Sequence, residues 1–114
     1  MKFVITGATS FIGLELTNLL LSQGHSVVAV CRKESKKISD IPCGVVIVTA
    51  EMAEYGDLHH YIDHADIFIN LAWGGTGHDG RNISDIQKDN IVCTTAAMFA
   101  AGKMGCKLFL EAGS

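Results

Sequence analysis

An apolar run, Phe3-Val4-Ile5-Thr6, breaks at Gly7-Ala8-Thr9-Ser10, and a helical pattern leaves at Phe11-Ile12-Gly13. Strand, tight turn and helix follow one another with no spacer, and this constrains the fold more than any other stretch. A helix that starts directly off a strand presents N–H groups with no intrahelical partner, together with the positive end of its dipole. Such a turn seats an anion, and a diphosphate fits it well. Gly7 takes a turn conformation that a Cβ forbids. Gly13 removes a side chain where the new helix must lie close to the strand.

The rest of the chain alternates in the same way. Lys2 to Thr6 reads as a strand, and Phe11 to Gln23 as a helix with Ile12, Leu16, Leu19 and Leu20 at spacings of three and four. Gly24 supplies its stop. Ser26 to Cys31 is a β-branched run, the pattern of a strand covered on both faces. Arg32 to Asp40 is polar and loop-like. Val45 to Thr49 reads as a third buried strand, Met52 to His64 as a loop and short helix, and Asp66 to Leu71 as a fourth strand. Trp73 to Gly80 is a glycine-rich connection. Asn82 to Met104 reads as a long helix, with Ile83, Ile86, Ile91, Ala97 and Met98 among its apolar positions, and Lys107 to Leu110 begins a fifth strand. With Pro42 the sole proline, this order predicts a single α/β domain over 1–114, a Rossmann-like doubly wound parallel sheet with helices on both faces. The chain stops after about the fifth strand, at Ser114, where a doubly wound sheet places its ligands. It therefore reads as the N-terminal part of a longer protein, against the alternative of a minimal domain.

Composition bounds the function. At 48% apolar residues with a mean hydropathy of +0.29, the chain can bury its strands, yet no apolar run approaches the ~20 residues of a membrane span. A net charge of −3 with no basic block argues against nucleic acid. Met1-Lys2-Phe3 runs straight into the first strand, unlike a signal peptide. Cys31, Cys43, Cys93 and Cys106 form no Cys-x-x-Cys pair and read as buried, reduced thiols of a cytoplasmic protein. His60 and His64 have the spacing of half a metal site beside His59, but no third ligand is evident, so no metal is expected. Asp63 and Asp66 read as a solvated turn, and Glu15, Asp85 and Asp89 as surface charges.

Gly7 and Gly13 keep the spacing of the dinucleotide-binding fingerprint, with Ser10 at the middle glycine. Further along come Glu51-Met52, Asn70-Leu71-Ala72-Trp73, Asn90-Ile91-Val92-Cys93-Thr94-Thr95 and Phe109 to Ser114. In this order, the segments resemble those of the extended short-chain dehydrogenase/reductases, the NAD(P)-dependent epimerase/dehydratase family acting on nucleotide sugars. The resemblance covers essentially the whole chain and implies a cofactor site. Gly7, Thr9, Ser10, Phe11, Ile12 and Gly13 would cradle the pyrophosphate. Glu51 and Met52 would lie at the adenine, and Leu71, Ala72, Trp73 and Asn90 on the nicotinamide side. Ser114 would be the catalytic serine that hydrogen-bonds the reacting oxygen. The implied reaction is hydride transfer between nicotinamide and a sugar carbon, and the implied assembly is a homodimer through the fourth helix.

Three departures qualify it. Ser10 either donates to a phosphate oxygen or weakens the cradle with its Cβ. Cys31 stands where members that prefer NAD tend to carry an acid for the ribose 2′-OH. Arg32 and Lys33 follow it, either as receivers of a 2′-phosphate, which favours NADP over NAD, or as a solvated loop edge. The family's Tyr-x-x-x-Lys is absent, since His59 follows Tyr55 by four residues and Ala65 follows Tyr61. The chain alone is therefore expected to be inactive. An alternative remains open, a non-catalytic NAD(P)-binding redox sensor or regulator of the same fold. Trp73 and the glycines Gly74, Gly75, Gly77 and Gly80 either shape the mouth of the site or form a merely permissive loop.

Overall fold

The computed structural model describes residues 1–72 and 84–112, with only the backbone of 84–87. Five parallel strands form one sheet in the order β3-β2-β1-β4-β5: β1 Lys2–Thr6, β2 Ser26–Cys31, β3 Val46–Thr49, β4 Ile67–Asn70 and β5 Leu108–Glu111. Helix α1, Phe11–Ser22, crosses from β1 to β2, and α2, Ser84–Lys103, precedes β5. Short 3₁₀ helices occupy Ile38–Asp40 and Met52–His60. The chain starts in the middle of the sheet, builds outward to β3, then returns to the other side of β1. That reversal opens a crevice at the carboxyl ends of β1 and β4, where doubly wound sheets bind ligands.

Each sheet face carries its own core. On one, Val4, Val28, Val30 and Phe68 pack under Tyr55, Leu58 and Ile62 and under Ala97, Ala100, Ala101 and Met104 of α2. Phe68 stacks on Phe109 with ring centroids 5.3 Å apart. On the other, Phe3, Ile5, Val27, Ala29, Cys31 and Ile69 pack against Ala8 and Leu20. The alanines of α2 keep its backbone close to the second 3₁₀ helix, where a Cβ added at Gly56 would lie 3.5 Å from the Ala96 methyl.

Burial departs from the periodicity in three places. The third strand is not buried: β3 is an edge, bonded only to β2, and exposes Val46 and Ile47. An apolar run marks a strand but does not say whether a neighbour lies on both sides. In α1 the buried stripe is Gly13, Thr17 and Leu20, while Ile12 and Leu19 face outward. Close contact at Gly13 turns the helix so that its small residues meet the sheet. In α2, Ile91 and Met98 are exposed, with Val92 and Phe99 beside them. Among the cysteines, all unpaired, Cys43 is exposed rather than buried.

Asp66 does more than solvate a turn. Its Oδ2 accepts the Lys2 backbone N–H at 2.7 Å, its N–H donates to the Lys2 carbonyl at 2.8 Å, and its carbonyl accepts from Lys107 N–H at 2.8 Å. One residue thus joins the starts of β1, β4 and β5. The Lys2 N–H holds the Asp66 carboxyl below the usual aspartate range, with His64 adding a smaller pull from 3.5 Å. A depressed folded pKa contributes stability that is present above the unfolded value, about pH 4, and lost as pH falls through the lower folded one. Asp66→Asn is therefore expected to flatten the acid limb of the stability curve, read by urea unfolding from about pH 7 to about pH 3. An acid limb identical to that of the wild type would count against this role.

Candidate cofactor site

The crevice is built around the turn after β1. Gly7 has φ 65°, in the left-handed region, and a Cβ there would come within 2.9 Å of Ala72 N and 3.0 Å of the Leu71 carbonyl carbon. A Cβ at Gly13 would lie 2.5 Å from the Gly7 carbonyl oxygen and 2.8 Å from Ala8 Cα. The two glycines thus let β1, α1 and the segment after β4 meet at van der Waals limits.

Ser10 is the N-cap of α1, with φ −68° and ψ 164°. That conformation is open to any residue, so the backbone needs no glycine here. Its Oγ donates to the Gly7 carbonyl at 2.8 Å and accepts the Gly13 N–H at 3.0 Å. In this arrangement the hydroxyl proton is directed at the Gly7 carbonyl, inside the turn. The Leu14 N–H bonds the Ser10 carbonyl. Phe11 and Ile12, the first two helical positions, therefore carry the amides that the helix start leaves for a ligand. The first turn contains no acidic residue to oppose an anion.

The loop after β2 is tied to this turn. Ser35 Oγ donates to Thr9 Oγ1 at 3.2 Å, and the Lys33 N–H donates to Glu51 Oε2 at 3.0 Å. Arg32 is exposed at the end of β2, just before these ties. Glu51 caps the second 3₁₀ helix in a reciprocal arrangement with Glu54, so its carboxylate has a structural partner set. Lys33 Nζ lies 3.2 Å from Glu54. The Glu51 N–H, then this lysine, hold the Glu54 carboxyl below its usual range.

Beyond Glu51, a groove of about 370 Å³ opens between the second 3₁₀ helix and α2, lined by Met52, Ala53, Asp89, Val92, Cys93 and Ala96. Its lining is apolar and soft at the centre, and one carboxylate stands at the side. Burial pushes the Cys93 thiol up, with Asp89 adding to the shift, so the thiol stays neutral. Periodicity had assigned Asp89 to the surface alone, and only its spacing to Val92, Cys93 and Ala96 along one helix face hinted at the groove. Asn90, one residue on, is buried in α2.

Under the crevice lies a polar layer that the sequence reading missed. Thr6 donates its hydroxyl to Asn70 Oδ1. Asn70 Nδ2 donates to Glu111 Oε2 at 2.6 Å and reaches Thr94 Oγ1 at 3.4 Å. Tyr55 is buried beside Thr6, and burial pushes its phenol well up despite a hydrogen bond to Thr6. Such a group holds its proton and does not exchange it, and Tyr61 is exposed elsewhere. His60 and His64 do not share a site: His60 lies 4.0 Å from Asp57 and His64 3.5 Å from Asp66. Among the described residues no three potential metal ligands cluster. No helix among them is long and apolar enough to cross a membrane. Trp73, the glycines after it and Ser114 lie outside the described residues.

A doubly wound parallel sheet with a glycine turn between β1 and α1 at its central crevice defines the fold class of this protein. The chain belongs to the NAD dependent epimerase/dehydratase family, which matches residues 3–114. It is 30% identical over 83 residues to an uncharacterized protein of Mycobacterium tuberculosis, covering 73% of this chain and 9% of that protein. Among solved structures, a UDP-galactose 4-epimerase superposes with a TM-score of 0.85 at 21% identity, over 100% of this chain and 38% of that one. The Bordetella bronchiseptica enzyme WbmG, in complex with NAD and UDP, superposes with a TM-score of 0.78 at 21% identity, over 96% of this chain and 36% of that enzyme. The chain thus spans a minor part of the length of each of these proteins.

The cap is open to a direct test. Ser10→Ala removes both bonds of the Oγ and is expected to lower stability by about 1 kcal/mol, whereas Ser10→Gly should cost only a few tenths. Thermal unfolding of the two variants checks the order, and an Ala variant as stable as the wild type would remove Ser10 from the cap.

Proposed function

We propose that these residues form the NAD(P)-binding part of an epimerase/dehydratase-type oxidoreductase acting on a nucleotide sugar. The observation that carries this reading is the turn itself. Gly7 is left-handed, Gly13 lies against the Gly7 carbonyl, and α1 starts directly after this turn in a chain that matches this family.

The residues present fit a dinucleotide along the crevice. The diphosphate rests on the start of α1, next to Thr9 and Ser10. Adenine takes the groove beyond Glu51, between Met52 and the Asp89–Cys93 face. The segment Leu71-Ala72, with Trp73 after it and Asn90 behind it, supports the nicotinamide side. When bound, the nicotinamide supplies the hydride donor or acceptor. Ser114 positions the reacting sugar oxygen by hydrogen bonding. Because Tyr55 is buried with a raised phenol pKa and no Tyr-x-x-x-Lys occurs in the chain, the proton-transfer group comes from outside these residues. A second reading on the same fold is a non-catalytic NAD(P)-binding redox sensor or regulator, which would bind the dinucleotide and turn over no UDP-sugar. WbmG and the UDP-galactose 4-epimerase support the sugar-nucleotide substrate class. The exposed Ile91, Met98 and Phe99 on α2 support a homodimer. Four cysteines scattered without a Cys-x-x-Cys pair support a cytoplasmic location.

NADP is favoured over NAD because Arg32 stands exposed at the end of β2, where its planar fork matches a 2′-phosphate. Calorimetric titration with NADPH and NADH tests both steps. Gly7→Val places a side chain against the Ala72 backbone and should abolish binding of either dinucleotide. A tight-binding Gly7→Val variant would sink the cofactor reading. Arg32→Asp should move the preference from NADPH toward NADH, and an unchanged ratio would leave the 2′-phosphate role without support.

A further inference from the structure

The two rows of side chains that face α2 near the ends of the strands differ in chemistry. Register aligns Val28, Val4, Phe68 and Phe109 in one row, and Val30, Thr6, Asn70 and Glu111 in the next row toward the crevice. The first row is entirely apolar. The second ends in a carboxylate on β5, with Glu111 exposed on its outer side.

A carboxylate only accepts hydrogen bonds. Asn70 must therefore turn Nδ2 toward Glu111 Oε2, 2.6 Å away, and this leaves Oδ1 facing Thr6. Thr6 gives its proton to that oxygen. The lone pairs of Thr6 Oγ1 then accept the Ala72 N–H at 3.3 Å. Ala72 N is also the atom nearest to the Cβ that Gly7 lacks, at 2.9 Å. The direction of every donor in this series follows from the charge at its far end. Without Glu111, only Thr94 Oγ1 at 3.4 Å is left to hold Asn70 Nδ2, and the amide is free to flip. Thr6 Oγ1, which also meets the Tyr55 hydroxyl, then accepts from Nδ2 in competition with the Ala72 N–H.

We propose that Glu111 is a positioning residue of the cofactor site. Through Asn70 and Thr6 it holds the Leu71-Ala72 backbone against the Gly7 turn, and so sets the width of the crevice between β1 and β4. This deepens the dinucleotide reading and rests on it. Glu111 touches neither the turn nor the groove directly, and its effect on a ligand passes entirely through the relay.

The test compares the full chain with Glu111→Gln and Glu111→Leu. It reads NADH and NADPH affinity by calorimetry, thermal midpoint, and the Ala72 backbone and Asn70 side-chain amide signals by ¹H–¹⁵N correlation. Glu111→Leu is expected to weaken dinucleotide binding about tenfold, the scale of one hydrogen bond to a charged group. It should also shift both amide signals while the thermal midpoint stays close to that of the wild type. Glu111→Gln keeps an acceptor oxygen and should restore most of the affinity and the wild-type Ala72 signal. An unmoved Ala72 amide in Glu111→Leu, or a Gln variant as weak as the Leu variant, would overturn the relay. If the wild type binds no dinucleotide, the cofactor reading fails by itself, and the Ala72 amide alone decides the relay.

Discussion

The contact between Gly13 and the Gly7 carbonyl governs the rest of this structure. A methyl group at position 13 would stand 2.5 Å from that oxygen, so α1 lies against the end of β1 only because no side chain intervenes. The approach fixes the rotation of α1, and hence which of its residues reach the sheet. Thr17, one turn on, closes the same face by donating its hydroxyl to the Gly13 carbonyl at 2.7 Å. With the helix held there, α1 begins at the carboxyl end of β1, beside the crevice. Packing and ligand geometry are thus consequences of a single close approach.

That arrangement explains why buried polar residues gather at one end of the sheet. Thr6, Asn70 and Asn90 are all nearly inaccessible, and burial of such groups is costly unless they are hydrogen-bonded. Thr6 and Asn70 meet this cost by bonding each other, Glu111 and Ala72. One row away from the crevice the requirement disappears, and the sheet returns to Val4, Phe68 and Phe109. The change from apolar to polar within two residues of β1, β4 and β5 marks where the core stops and the site begins.

Much of this was legible in the sequence because it was carried by local patterns. The strand–turn–helix at Phe3 to Gly13 predicts the left-handed Gly7, the close Gly13 and the position of the crevice. The β-branched run Ser26 to Cys31 predicts a central strand, and its bounds match β2. What escaped depended on partners distant in sequence. Val45 to Thr49 carries the same apolar signature as a central strand, yet topology leaves β3 at an edge. Glu111 reads as the last residue of a strand, and only the register with Asn70 shows what its carboxylate meets. Ser10 stands at the middle-glycine position of the fingerprint, and its role as the helix cap depends on a local geometry that spacing alone does not carry.

The segment after β2 shows how neighbouring charges take separate tasks. Lys33 is engaged twice: its backbone N–H meets Glu51 and its ammonium meets Glu54. Ser35 anchors the same segment to Thr9. Among the described residues Arg32 has no ion pair, and it projects from a backbone held on both sides. The pairing of Lys33 adds little stability, since exposed ion pairs contribute little, and it fixes the backbone next to Arg32. An arginine presented by a fixed backbone loses less freedom when it engages a planar or tetrahedral anion than one on a free loop. In the proposed reading this is what separates the two dinucleotides: the end of β2 offers a cation with its geometry largely set and, at Cys31, no carboxylate to favour a ribose hydroxyl.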